Sequence, residues 1–106
     1  MEGKFIFRRG TGNKQKDKKM LEISEDDISL QNRKENALII SFKAAKEEIA
    51  NIYDYFENFE ELEAVTLEIA NAGEVGYYFR GTSPINDVEE NMQQFSVTLQ
   101  LQREFL

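Results

Sequence analysis

Apolar and polar residues alternate along this chain in several short runs, and each run marks out a strand. Within residues 4–9 (Lys-Phe-Ile-Phe-Arg-Arg), Phe5 and Phe7 fall on one face and Ile6 on the other. Gly10-Thr11-Gly12-Asn13 stops that run, because two glycines remove the steric cost of positive φ and favour a turn. Residues 14–19 contain no apolar side chain, so about 10–19 reads as a mobile, solvated basic loop. Alternation resumes at Met20–Ser24, with Leu21 and Ile23 sharing a face. The two runs together predict a hairpin with a long basic loop.

Ser24-Glu25-Asp26-Asp27 admits two readings: a capping box opening a short helix toward Asn32, or an acidic turn before a strand at Ile28–Leu30. The turn is preferred, since Ile28 and Leu30 are the only apolar anchors that follow and they sit two apart. Gln31–Asn36 reads as a polar connector. Ala37–Phe42 is a compact apolar strand of the kind covered on both faces. A helix is expected over about 43–58, where Ala45, Ile49, Ile52, Tyr53 and Phe56 recur at helical spacing. Lys46, Glu47, Asn51, Asp54 and Glu57 take its wet side.

Val65, Leu67 and Ile69 alternate with Thr66 and Glu68 in a further strand, broken by Asn71-Ala72-Gly73. Val75–Arg80 is its expected hairpin partner, closed by Gly81, and Thr82–Asp87 forms a loop around Pro84, the one proline. From Phe95 to Phe105 the alternation is the most regular in the chain, about eleven residues against a usual five or six. A strand of that length is expected to extend past its own sheet, where an unpaired edge can recruit a neighbouring subunit. The expected fold is α+β: one domain over 1–106, a mainly antiparallel sheet or sandwich of about five to seven strands, and one principal helix.

Composition narrows the chemistry. The 106 residues are 41% hydrophobic with eight Phe and four Tyr, enough for a core. Cys and His are both absent, which removes disulfides, thiolate metal sites and the commonest general base. A serine nucleophile would then depend on lysine, and Ser41 with Lys43 or Lys46 falls at a strand end and a wet helix face. Adjacent acids (Asp26 and Asp27, Glu47 and Glu48, Glu89 and Glu90) lack the spacing of a calcium loop and read as solvated surface. Gly10-Thr11-Gly12-Asn13-Lys14 has one residue between its glycines where a phosphate loop has four. No enzyme activity, cofactor or metal is expected. The start, Met1-Glu2-Gly3-Lys4, has no signal-peptide pattern and no apolar run reaches membrane-spanning length. The expected address is the cytoplasm, or the virion for a phage structural protein.

Charge changes the picture again. Residues 1–19 hold seven basic side chains against two acids, a balance of +5, whereas 20–106 hold six against eighteen, a balance of −12. A basic arm on an acidic body is a pattern of binding tails. Arg8, Arg9, Lys14, Lys16, Lys18 and Lys19 are therefore candidate contact residues. An acidic protein surface suits them better than nucleic acid, which the rest of the chain would repel. Tyr55, Tyr77 and Tyr78 join them as candidate anchors, since exposed tyrosine is enriched at binding hot spots. Thr98, Gln100 and Gln102 complete the set as the polar positions of the terminal strand.

The order of strands around one helix, the basic loop after the first strand and the terminal Phe95-Ser96-Val97-Thr98-Leu99-Gln100-Leu101-Gln102 run resemble small structural proteins of tailed phages and prophages. Tail-tube, tail-terminator and head–tail connector subunits share this general plan. The resemblance implies a ring- or tube-forming subunit without enzymatic activity that partners copies of itself or other protein subunits. Two alternatives stay open: an acidic protein-binding module or inhibitor that mimics nucleic acid, and a nucleic-acid-binding accessory protein using the basic loop.

Overall fold

A computed structural model describes residues 4–10, 16–69 and 73–102, with the backbone alone over 16–19. Eight antiparallel strands and one helix follow in the order β1 (Lys4–Arg9), β2 (Lys16–Ser24), a 3-10 turn (Glu25–Asp27), β3 (Ile28–Lys34), β4 (Ala37–Ala45), α1 (Lys46–Glu57), β5 (Ala64–Ile69), β6 (Gly73–Thr82), β7 (Asn86–Glu89) and β8 (Met92–Leu101). The strands form one sheet in the spatial order β2-β1-β5-β6-β8-β4-β3, with β7 also paired to β8. This is the α+β arrangement the alternation predicts.

The connection between β2 and β3 shapes everything else. These are the two end strands of the sheet, yet the 3-10 turn of three residues is all that joins them. In a flat sheet seven strands wide the ends would stand about 29 Å apart. The chain from Ser24 to Ile28 can reach at most about 14 Å. The sheet must therefore curl until its two edges approach, giving an open barrel. Arg33 of β3 accordingly shares a small cavity with Leu67, Ile69 and Val75 from β5 and β6, on the far side of the curl. Ser24 begins the connection by accepting a hydrogen bond from the Asp26 amide at 3.2 Å. Both readings of this segment thus hold a part of the truth: a capped turn of 3-10 helix, then a strand.

The concave face is the core. Alternate residues point into it: Phe5 and Phe7 from β1, Ile23 from β2, Leu38, Ile40, Phe42 and Ala44 from β4, Val65 and Leu67 from β5, Phe95, Val97 and Leu99 from β8. Helix α1 lies across this face and buries Ile49, Ile52 and Phe56. Phe56 is the hub, with its ring 5.1 Å from Phe7, 5.8 Å from Phe42, 5.9 Å from Phe59 and 6.2 Å from Phe79. One helical side chain therefore ties together strands drawn from across the sheet. Ala45 offers no side-chain cap, and the Asn91 carbonyl instead accepts from the Lys46 amide at 3.1 Å.

Several boundaries differ from the sequence reading. β2 begins at Lys16, so residues 16–19 are strand rather than loop, and Lys14 lies outside the described residues. Pairing with β1 supplies the order that a run without apolar residues does not reveal. β3 continues through the expected connector to Lys34, and a two-residue turn at Glu35-Asn36 returns the chain to β4. β4 buries one face fully rather than both, and it runs on to Ala45, which is exposed. β6 passes through Gly81, whose φ of 145° accompanies a shift of register between Phe79 and Gly81. β7 begins at Asn86 and Asp87, inside what reads as loop, and runs on to Glu89. It continues the line of β6 past Pro84 and pairs with the start of β8.

The largest correction concerns β8. It starts at Met92, and β6 and β7 flank it on one side and β4 on the other. As far as Leu101 the terminal strand is interior, with no free edge to offer, and the open edges belong to β2 and β3; residues 103–105 of the expected strand lie outside the described residues. Its length serves to span both halves of the β6–β7 line.

Two outcomes test this packing. Phe56→Ala should destabilise the protein by about 3–5 kcal/mol, measured by urea unfolding, because no neighbouring group can fill the vacated centre. Leu62 sits at φ 66° with half its surface exposed. Leu62→Gly should change stability by less than about 1 kcal/mol, since relief of a bulky residue in the left-handed region is offset by the half of its side chain that is buried.

Candidate protein-interaction surface

The arginines of the basic arm are already engaged. Arg8 Nη1 donates to Glu68 Oε1 at 2.8 Å and to Glu74 Oε2 at 3.4 Å, linking β1 to the β5–β6 hairpin. Arg9 makes a two-pronged contact with Glu63, Nε to Oε2 at 2.6 Å and Nη2 to Oε1 at 2.7 Å. Arg9 also donates to the Asn58 carbonyl at 3.2 Å and lies 4.8 Å from the centre of the Phe59 ring. A forked arginine–carboxylate pair with a ring against it is a fixed element, worth more than a lone surface ion pair. The two arginines of the arm are thus neutralised within the fold by glutamates of the acidic body.

Tyr55 belongs to the same junction. Its hydroxyl donates to the Phe7 carbonyl at 3.1 Å, and its ring packs against Phe56 and Phe59. Burial, with the Glu63 carboxylate adding and Arg9 opposing, pushes its phenol well above the usual tyrosine range. Arg9, Met20 and Leu21 on the hairpin face Asn51, Asp54, Tyr55 and Asn58 on α1 across an open groove of about 510 Å³. Tyr55 is therefore a strut between helix and sheet with one side on this groove.

Tyr77 and Gln102 are corrections. Tyr77 is 1% exposed and Gln102 is 2% exposed, so neither can meet a partner. Tyr77 points into the curled interior and Gln102 Nε2 donates to its carbonyl at 3.2 Å. The reason is register: the alternation that puts Phe79 inward puts Tyr77 inward too, and Tyr78 outward.

Three of the candidates do come together. Tyr78 sits opposite Gln100, and Thr98 lies two residues further along β8 on the same convex face. Gln100 Oε1 accepts from Arg80 Nη1 at 3.1 Å. Beside them Lys34, Glu35, Asn36 and Ala37 complete a shallow depression of about 360 Å³. All three are half-buried sheet-face residues rather than edge residues, because β8 is interior.

Sequence reasoning placed the start of β3 at Ile28–Leu30 and missed its continuation to Lys34 and its place at the edge of the sheet. Its residues after Ile28 are all exposed, and Leu30 leaves 51% of its surface to solvent. The sequence did carry a signal for it, since Leu30 is an apolar residue isolated in a polar run. At its start Asp27 has a pKa raised by burial and by the neighbouring Asp26. On the acidic side of the molecule, Glu47, Glu48, Asp54 and Glu57 of α1 are exposed, as are Glu60 and Glu61 after it. Among the described residues no group of acids is arranged to hold a metal ion, and no helix is long and apolar enough to cross a membrane. No protein-family model, curated protein or solved structure matches this chain.

Tyr55→Phe checks the junction. Loss of the bond to Phe7 should cost about 1 kcal/mol at neutral pH. A tyrosine whose folded pKa is raised contributes stability that is complete below its ordinary value of about 10 and is lost as pH rises beyond it. Thermal melts between pH 8 and 11 should therefore show a steeper alkaline loss in the parent protein than in the variant. Equal slopes would contradict the assignment.

Proposed function

We propose that this chain is a non-enzymatic assembly subunit, of the kind implied by the resemblance to phage and prophage structural proteins. It joins other protein subunits through an open edge of its sheet. The observation that carries this reading is β3: seven residues at the end of the sheet, exposed after Ile28 and bearing a solvent-facing leucine. An edge strand presents unpaired backbone donors and acceptors, which another strand satisfies. The rest of the surface supports assembly more than catalysis, since the basic arginines brace the fold and the grooves are shallow and lack converging reactive groups. The reading places the protein in the cytoplasm until it enters a particle, with no cofactor and no membrane.

A second reading has its own observation. The exposed acids of α1 and the following loop outnumber the one lysine, Lys46, beside them and suit capture of a basic protein as an acidic module or nucleic-acid mimic. Direct nucleic-acid binding is less favoured, because Arg8 and Arg9 are committed to glutamates.

Static light scattering separates these readings. An assembly subunit should show a mass that climbs above the 12.3 kDa of one chain as concentration rises. A strict monomer at high concentration, in both low and high salt, would overturn the assembly reading. Salt-sensitive capture of a basic protein, lost after Glu47→Lys and Asp54→Lys, would then favour the acidic module.

A further inference from the structure

Among the described residues, two buried side-chain atoms have no hydrogen-bond partner: the Tyr77 hydroxyl and Gln102 Oε1. Both lie at one end of the barrel, where the Gln102 side chain donates to the Tyr77 carbonyl. We propose that this end binds a small aliphatic monocarboxylate of about four carbons, its carboxylate held between Arg33 and Tyr77. The site is independent of the assembly reading, since it uses the inner face of the sheet and not the backbone of an open edge.

The β5–β6 hairpin supplies most of the walls. Leu67 stands opposite Val75, Ile69 opposite Gly73 and Val65 opposite Tyr77, so Leu67, Ile69, Val75 and Tyr77 share the inner face. Across the curl, Arg33 of β3 stands opposite Leu38 of β4, and it too lies on the inner face. Together these residues enclose a cavity of about 80 Å³. Arg33 and Tyr77 also line a second cavity of about 30 Å³, so their side chains stand where the two spaces meet.

Each part of the site selects one part of the ligand. Apart from Arg33 and Tyr77 the larger cavity is walled by Leu67, Ile69, Val75 and Gly73, which call for hydrocarbon. Its 80 Å³ holds roughly three methylene-sized groups. Arg33 calls for an anion, since it is a cation on the inner face that enters no ion pair among the described residues. A planar carboxylate matches the fork of its guanidinium. Tyr77 is 1% exposed, and its hydroxyl proton lacks an acceptor that a carboxylate oxygen provides. Glu35 lines the smaller cavity and repels a second negative charge, which disfavours phosphates and dicarboxylates.

An inward charge on an edge strand also discourages unwanted strand pairing. That role explains Arg33 alone, and it leaves the buried hydroxyl beside an apolar cavity without a reason. A bound carboxylate accounts for both. It also joins β3 to β6 across the curl, so the ligand favours the closed barrel and stabilises the fold by mass action.

An NMR titration of the isotope-labelled full chain with sodium butyrate tests the site. Amide shifts at Leu67, Val75 and Tyr77 should saturate, with a Kd in the millimolar range or below. Butyramide, the neutral isostere, and inorganic phosphate should each bind at least about tenfold more weakly. Arg33 is exposed, so Arg33→Gln should keep the fold and lose at least about tenfold in butyrate affinity. Tyr77→Phe should weaken butyrate about threefold or more while leaving the melting temperature of the free protein unchanged or higher, because the hydroxyl it removes has no partner. A merely structural tyrosine would not separate those two readouts. Absence of saturable shifts with butyrate up to about 50 mM would overturn the proposal. Saturation left unchanged by both Arg33→Gln and Tyr77→Phe would place binding elsewhere and overturn this site. Equal affinity for butyramide would overturn the part assigned to the charge.

Discussion

The short crossing from Ser24 to Ile28 governs this fold. Three residues of 3-10 turn join strands that the pairing order places at opposite ends of the sheet. Natural right-handed twist gives a sheet some curvature, but here the covalent connection requires closure far beyond twist alone. Curling produces a concave face narrow enough for one helix to cover. It also explains why so few apolar residues outside that face are needed, and why Phe56 can reach strands that lie far apart along the sheet. Without the short crossing the same strands would form a broad sheet that a single helix could not seal.

Closure has a consequence for charge. Bringing β1 beside the β5–β6 hairpin places Arg8 and Arg9 against Glu63, Glu68 and Glu74, residues more than fifty positions away in sequence. The basic arm and acidic body read as separate along the chain because the sequence lists them apart, while the fold interleaves them. A partly buried forked pair such as Arg9–Glu63 sets register as well as adding energy, since its geometry admits one alignment of β1 against the loop after α1. Exposed charge remains along the wet face of α1 and at Arg33 and Lys34 of β3.

Local pattern made most elements legible. Phe5 with Phe7, Leu21 with Ile23, Val65 with Leu67, and Phe95, Val97 and Leu99 all share the faces that their alternation predicts, and α1 buries Ile49, Ile52 and Phe56 as its spacing requires. Strands without an apolar face were harder to see. Residues 16–19 of β2, most of β3 and all of β7 but the exposed Val88 are polar, and they are ordered by backbone pairing to neighbours that carry the core side chains. The hairpin neighbours β1–β2 and β5–β6 were legible from their turns, but the order of strands distant in sequence was not, because hydrophobic alternation says which face of a strand is buried and nothing about its neighbours. That gap moved the expected free edge to β8, and it hid the inward turn of Tyr77 and Gln102.

Edge position, then, decides which polar residues are available, and length does not. β8 is as long as any strand in the sheet, yet strands flank it on both sides and Ser83 bonds Ser96 in the gap between β6 and β7, so Thr98 and Gln100 offer side chains alone. β3 is shorter and less regular, yet one whole side of it is open, and Leu30 stands there uncovered. A buried strand contributes stability by the area it removes from water, whereas an edge strand contributes specificity by what it leaves unsatisfied. In this chain the two tasks fall to different strands. The long apolar strand holds the barrel together, and the short polar strand, tethered to the opposite edge by the crossing at Ser24–Ile28, leaves one side of the sheet unpaired.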